Sequence, residues 1–236
     1  MAVPVSIYGS RGSFSEDAAL QYFSPTKYTS VVTTPSNSLD GLFRAVADGS
    51  CAYAVAPIEN SVSGMLQSVL IKVLEFQQLH IVGEIVVAEE HCLCVQPGTR
   101  RQDVRTVLSH DHLLQQSQAY LDRLAAENGG YAVQRECTFD SAAACALVDA
   151  PHKAAIASRR AGVAAGLEVV GSKIADLECE TRYLVLSLTP HSPTNRLGLC
   201  CSVSFLLPNQ QGAMFRAMSC FAFRNLNLLK VRCGHV

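Results

Sequence analysis

The chain has 236 residues, 49% of them hydrophobic and 17% charged, enough to bury a core and unlike a disordered or collagen-like sequence. Nineteen Lys and Arg against 20 Asp and Glu leave a formal charge of −1, which offers no basic footprint for nucleic acid, and no run approaches the roughly 20 apolar residues of a membrane span. Ten cysteines sit scattered in apolar stretches, without paired CxxC spacing or an HxxxH partner, and most read as small buried hydrophobes in a reducing compartment rather than as disulfides or a metal site.

Met1-Ala2-Val3-Pro4-Val5 runs straight into a strand with no targeting pattern, so the cytoplasm is expected, with a plastid left open should the chain begin further upstream. The strand Val3 to Tyr8 leads into Gly9-Ser10-Arg11-Gly12-Ser13-Phe14-Ser15-Glu16, where Ser13 and Glu16 fit a capping box, and a helix follows from Ser15 to Phe23. A strand near Tyr28 to Thr33 precedes Leu39, Leu42, Phe43 and Val46 at helical spacing. The run Ala52 to Ala56 is expected to end at Pro57, and beyond Asn60-Ser61-Val62-Ser63-Gly64 the apolar residues Met65 to Leu74 mark a helix face.

Two apolar runs, Ile81 to Val87 and His91 to Val95, are separated by Glu89-Glu90, where the chain passes from one lobe to another. Alternation then resumes. Strands at Thr106 to Leu108, Ala132 to Arg135 and Ala154 to Ala157 each deliver a polar loop to a helix, the first helix running unbroken from Leu113 to Gly129, and Leu167 to Val170 and Tyr183 to Leu188 add further strands. The pattern predicts an α/β chain with predominantly parallel sheets. After a linker over residues 190–199, Cys201 to Leu207 reads as a strand, Gly212 to Arg224 as a helix and Leu228 to Arg232 as a last strand, too short a stretch for a core of its own.

In parallel sheets the loops after the strands converge on one edge, where helix N-termini present unpaired N–H groups. Loops near residues 13, 60, 109 and 141 are rich in Ser, Thr and Asn; any one of them alone reads first as a helix cap, and their recurrence in four loops suits a small carboxylate held by neutral donors. Residues 9–12 lack the Gly-Lys-Ser/Thr of a P-loop and the G-x-G-x-x-G spacing, there is no G-x-S-x-G elbow, and neighbouring positions in His110-Asp111-His112 do not face one another as metal ligands.

The ordered set Gly9-Ser10-Arg11-Gly12-Ser13-Phe14-Ser15, Ala56-Pro57-Ile58-Glu59-Asn60-Ser61-Val62-Ser63-Gly64, Glu90-His91-Cys92-Leu93, Ser109-His110 with Gln116, Asp140-Ser141-Ala142, Ala155-Ile156-Ala157-Ser158 and Thr181-Arg182-Tyr183-Leu184-Val185-Leu186 resembles the prephenate and arogenate dehydratases. The resemblance implies a two-lobed, periplasmic-binding-protein-like catalytic domain over residues 1–189, with lobe one at about 1–80 plus 171–189 and lobe two at about 81–170. It implies a lyase of phenylalanine biosynthesis that takes prephenate to phenylpyruvate, needs no cofactor and forms a homodimer. Alternatives are an arogenate dehydratase giving phenylalanine directly, and a non-catalytic carboxylate-binding module.

By resemblance Thr181 is the catalytic donor, and Phe14, Ser15, Asn60, Ser61, His91, Ser109, Gln116, Ser141 and Arg182 bind or orient substrate. Arg182 equally suits pairing with a protein carboxylate such as Glu180 or Asp176, and Glu59 reads as structural because it would repel a dianion. The pattern departs from the family where Cys179 stands in the place of its Asn, where Ala165 replaces a Tyr, where Tyr183 replaces a Phe, and where the approach to Thr181 is one residue short. Residues 200–236 resemble the start of an α+β ACT domain through Gly212-Ala213-Met214-Phe215 and Asn227 to Val231, with Cys233 to Val236 in place of the family's next motif, so an incomplete ACT-like tail is expected.

Overall fold

The structure, a computed structural model, describes residues 2–24, 30–191 and 201–233. The chain divides into two units, Met1–Ser192 and Pro193–Val236. In the first, the elements run β1 (Val3–Tyr8), α1 (Phe14–Tyr22), β2 (Val31–Ser36), α2 (Leu39–Ala47), β3 (Tyr53–Asn60), β4 (Gly64–Met65), α3 (Gln67–Glu75), β5 (His80–Ala88), β6 (Cys92–Val95), β7 (Thr106–Ser109), α4 (Asp111–Gln115), α5 (Gln118–Glu127), β8 (Gln134–Cys137), α6 (Ser141–Ala144), β9 (Lys153–Ala157), α7 (Arg159–Ala164), β10 (Glu168–Gly171) and β11 (Glu180–Ser187). They build two sheets, ordered β2-β1-β3-β11-β5, with β4 added to β3, and β10-β6-β9-β7-β8.

Each sheet is the floor of one lobe, and the fold is two-lobed α/β. Both sheets are mixed rather than predominantly parallel. β1 pairs parallel with β2 and β3, and β7 with β8 and β9, but β6 and β11 run antiparallel to both their neighbours. These two are the strands by which the chain enters a lobe after crossing from the other, so they run back along the sheet. β11, buried along most of its length, takes β3 on one edge and β5 on the other. That pairing holds β5 in the first lobe, so the second begins at β6 rather than near residue 81.

One apolar cluster runs through both lobes, from Val5, Ile7 and Phe14 through Tyr183 and Val185 to Leu93, Val107 and Leu121. Leu42, Phe43, Val69, Leu184 and Leu186 pack on the outer face of the first sheet, and Ala144, Ala155 and Ala161 on that of the second. The alternation along β1 and β11, with Val5, Ile7, Tyr183 and Val185 inward and Leu184 and Leu186 outward, is the period of two that a strand buried on both faces requires.

Three local departures from expectation matter for the cleft. β3 continues through Pro57 to Asn60, because a bulge lies there: Arg182 is opposite Glu59 but Tyr183 is opposite Pro57, leaving Ile58 as the extra residue. A bulge removes the demand for the N–H that proline lacks. The expected single helix after β7 is two, α4 and α5, interrupted at Gln116 and Ser117, where the Gln116 carbonyl accepts from the Asp176 N–H at 2.7 Å. β2 begins at Val31, and the expected start at Tyr28 lies outside the described residues.

The second unit contains α8 (Ala213–Ala222) and, among the described residues, no strand. A strand exists by pairing, and neither Cys201 to Leu207 nor Leu228 to Arg232 has a partner there. Most of the linker expected over 190–199, and the chain beyond Cys233, lie outside the described residues. No helix among the described residues is long and apolar enough to cross a membrane.

The lobes meet at the loop between β1 and α1. The Ser10 N–H donates to Asp140 Oδ2 at 2.5 Å, Ser158 Oγ donates to the Gly12 carbonyl, and Arg160 pairs with Asp17. At Gly12 the backbone has φ +84°, and a Cβ there would stand 2.6 Å from the Cα of Ala161. Gly12→Ala is therefore expected to lower stability by about 3 kcal/mol or more in a denaturant titration, whereas Gly49→Ala, at φ +81° but with open space around it, loses only about 1 kcal/mol of backbone strain.

Candidate active site

A cavity of about 160 Å³ opens between the lobes. Its first-lobe wall is Tyr8, Gly9, Ser13, Phe14, Ser15, Pro57, Asn60, Leu66, Glu89, Thr181 and Tyr183; the second lobe contributes His110, His112, Leu113, Gln116, Phe139, Asp140 and Ser141. Among the described residues, no Lys or Arg lines it. A second hollow of about 190 Å³, at Arg101, Tyr120, Arg123, Leu124 and Glu127, is a surface dip whose Arg101 is already paired with Glu127.

The sequence builds the wall at three helix starts. Ser13 caps α1 by accepting from the Glu16 N–H at 3.4 Å, and Glu16 reaches back to the Gly12 N–H at 2.6 Å, a capping box displaced by one residue. Asp140 caps α6 through the Ala142 N–H at 3.0 Å while also holding Ser10. His110 caps α4, accepting from His112 N–H at 3.3 Å. Burial and the neighbouring His112 hold the His110 pKa below its ordinary value, so this ring is neutral near pH 7.

At the cavity floor Asn60 is the hub. Its Nδ2 donates to Thr181 Oγ1 at 2.8 Å and to Cys179 Sγ at 3.0 Å, and its Oδ1 accepts from the N–H groups of Val62 and Ser63, both at 3.0 Å, and from Gln116 Nε2 at 3.3 Å. The bulge in β3 makes this possible. Val55 faces the inner cluster and Ile58 the outer, so unbroken alternation would turn Asn60 outward; the extra residue reverses the parity and sets Asn60 beside Thr181, its partner in register. With an amide N–H donating to its oxygen, the Thr181 hydroxyl keeps its own proton free to point into the cavity.

Glu89 lies beneath the same floor. It accepts from the Tyr183 hydroxyl at 3.3 Å and from the Cys179 thiol at 3.5 Å. Burial and the Glu89 charge push the Tyr183 pKa well above its ordinary value, with a hydrogen bond to Ser15 opposing them, and the same two causes push the Cys179 thiol up to about 11.

Of the residues singled out from sequence, Phe14, Ser15, Asn60, Gln116, Ser141 and Thr181 come together on the cavity wall. Four do not. Arg182, one step along β11 from Thr181, points to the opposite face and pairs with Glu59, its register partner on β3, at 3.3 Å and with Glu84, diagonal to it on β5, at 3.6 Å, rather than with Glu180 or Asp176. Ser109 is fully buried and donates to the Ile156 carbonyl at 2.5 Å, joining β7 to β9. Ser61 accepts from the Glu180 N–H at 3.0 Å and ties the strands outside the cavity. His91 is fully buried behind Glu89, off the wall. Sequence reasoning missed Glu89, Tyr8, Asp140 and Tyr183 as cavity groups; the one available signal was the polar interruption Glu89-Glu90 between two apolar runs.

Residues 5–191 match the model of the prephenate dehydratase family. The chain is 36% identical over 235 residues to arogenate dehydratase/prephenate dehydratase 2 of Arabidopsis thaliana, named as chloroplastic, covering 97% of this chain and 58% of that one. It is 34% identical over 231 residues to arogenate dehydratase 2 of Petunia hybrida, covering 96% and 55%. The structure of a prephenate dehydratase from Arthrobacter aurescens, in complex with L-Phe, superposes with a TM-score of 0.81 at 25% identity, covering 98% of this chain and 75% of that one. The chain thus spans little more than half the length of these plant relatives.

The thiol chemistry gives a direct check on the floor. A pKa of about 11 leaves about one Cys179 in a thousand ionised at pH 8, and the thiolate is the nucleophile. Iodoacetamide at pH 8, read by peptide mass mapping, is expected to label exposed Cys137 well before Cys179, with the Cys179 rate rising about tenfold per pH unit until the pH nears 11.

Proposed function

The chain belongs to the prephenate dehydratase family, and on that premise we propose that its cavity converts prephenate to phenylpyruvate in phenylalanine biosynthesis. In this reaction the bond from the ring to its carboxylate breaks and carbon dioxide leaves. The released electron pair shifts through the ring diene and expels the hydroxyl at the opposite carbon, which departs as water once it has gained a proton. The ring becomes aromatic, which supplies the driving force, so the protein's task is to hold one geometry and assist the departing oxygen.

The observation that carries the reading is the 2.8 Å bond from Asn60 to Thr181. It fixes the threonine oxygen as acceptor and leaves its O–H as donor to the leaving hydroxyl. A threonine hydroxyl is a weak acid, so the role is hydrogen-bond donation to developing charge, with the proton relayed from solvent. Gln116 Nε2, Ser15, Ser141 and the N-terminal turn of the nine-residue α1 supply neutral donors for the substrate carboxylates, and Phe14 and Pro57 give the ring an apolar wall.

A second reading is favoured by the cavity's charges. Glu89 and Asp140 line it and, among the described residues, no Lys or Arg does, which suits the ammonium group of arogenate better than the keto group of prephenate. The Petunia relative is named for arogenate alone, and the Arabidopsis relative for both substrates. We read residues 200–236 as part of an ACT-like module and the working unit as a homodimer, in the cytoplasm or, as the relatives' names suggest, in a plastid.

Thr181→Ala is expected to cut turnover of prephenate by about 100-fold or more, measured by phenylpyruvate absorbance, with an unchanged circular dichroism spectrum, while Thr181→Ser retains most of the rate. Near-wild-type turnover in Thr181→Ala would refute the donor role. Competition between the two substrates, with kcat/KM for arogenate above that for prephenate, decides for the second reading.

A further inference from the structure

We propose that Glu89, His91 and Cys179 form a binding site for one thiophilic divalent cation of the zinc class beneath the floor of the cavity. These residues each present one ligand atom, and the three atoms lie within 4.8 Å of one another. Glu89 Oε2 is 3.5 Å from Cys179 Sγ and 4.0 Å from His91 Nε2. Tetrahedral zinc bonds of 2.0 to 2.3 Å put ligand atoms about 3.4 to 3.6 Å apart, so the set closes on an ion with side-chain adjustments of about 1 Å or less.

The second observation is the histidine. His91 is fully buried, and among the described residues its Nε2 has no hydrogen-bond partner, an arrangement that carries a desolvation penalty and calls for an explanation. Its Nδ1 lies 3.5 Å from Ser117 Oγ, at the break between α4 and α5. With the proton on Nδ1 and shared with Ser117, Nε2 turns its lone pair toward Glu89 and Cys179, which is how a protein orients a metal-binding imidazole. Gln116 Oε1, 3.6 Å from the sulfur, or a water completes the four. One imidazole, one carboxylate and one thiol select zinc or cobalt(II) over magnesium or calcium, which prefer all-oxygen shells. A bound ion takes the place of the thiol proton.

The site escapes sequence inspection because its residues come from both chain crossings between the lobes, 90 positions apart at the extremes, from Glu89 to Cys179. Its test does not depend on the lyase reading, since binding alone is measured.

The full chain, stripped with chelator and titrated with cobalt(II), is expected to take up one equivalent with a thiolate-to-cobalt band in the near ultraviolet and tetrahedral visible bands, both abolished by one equivalent of zinc. Cys179→Asn is expected to lose the near-ultraviolet band and to bind zinc at least about tenfold more weakly; Glu89→Gln keeps the band but weakens binding by a similar factor. X-ray absorption at the zinc edge of the wild-type protein is expected to give one sulfur and nitrogen or oxygen neighbours, which needs no variant to fold. No uptake by the wild type, a band undiminished in Cys179→Asn, or a shell with no sulfur or with several would each overturn the proposal.

Discussion

The structure depends on how closely the loop between β1 and α1 approaches the second lobe. At Gly12 there is no room for a side chain against Ala161, and the flanking polar groups all reach across: Ser10 to Asp140, Gly12 to Ser158, Asp17 to Arg160. This contact fixes the start of α1, and with it Phe14 and Ser15 on the cavity wall. It also engages Asp140 with two backbone N–H groups, one from each lobe. Because the inner apolar cluster is shared between the lobes, the contact closes a cleft whose base is already one core. Cavity width is thus set by backbone contact, which side-chain rotation cannot relax.

The second constraint is the bulge at Pro57 and Ile58. Proline in a central strand would ordinarily leave a gap in the ladder, but here the gap coincides with the register shift, and the shift turns Asn60 inward. One backbone irregularity therefore does two things: it accommodates proline, and it joins Asn60 to Thr181. Asn60 then has both amide ends occupied, with Thr181 and Cys179 on one side and Val62, Ser63 and Gln116 on the other, so its orientation is fixed by the network. Gln116 joins that network because the helix after β7 breaks at that point.

Much of this could be read from the chain. The capping residues Ser13 and Glu16, the apolar spacing of α2 and the strand β1 follow from local rules, and local rules suffice where one segment decides its own conformation. The wall residues Phe14, Ser15, Asn60, Gln116, Ser141 and Thr181 are legible through the resemblance to the dehydratases, and the convergence of polar loops at a sheet edge agrees with it without naming them. What was not legible depends on pairing. The direction of β11 and β6, the bulge, and the helix break at Ser117 arise from partners remote in sequence. Arg182 is a different case: strand alternation alone separates it from Thr181 and Tyr183, and the motif it shares with Thr181 concealed that. Glu89 lies one residue from Glu90, and only the crossing into β6 decides which of the two turns toward the cavity.

Charge decides what this cavity can hold. Two carboxylates near the same wall oppose an anionic ligand by about 3 kcal/mol each at about 5 Å and an effective dielectric of about 20, before screening. A helix N-terminus returns only about 0.3 to 1 kcal/mol, up to about 2 where partly buried. Asp140 is held by two N–H groups that offset its charge locally, whereas among the described residues Glu89 accepts from the Tyr183 hydroxyl and the Cys179 thiol and has the His91 imidazole 4.0 Å away. Neutral donors and one helix dipole therefore do not balance Glu89 against a dianion. A positive group beside Glu89 relieves that repulsion: the ammonium of arogenate would do so from the cavity side, and a divalent cation shared with His91 and Cys179 from the other. Because one carboxylate serves both, an ion held at Glu89 should weaken preference for the amino substrate, and the two arrangements are coupled through that single residue.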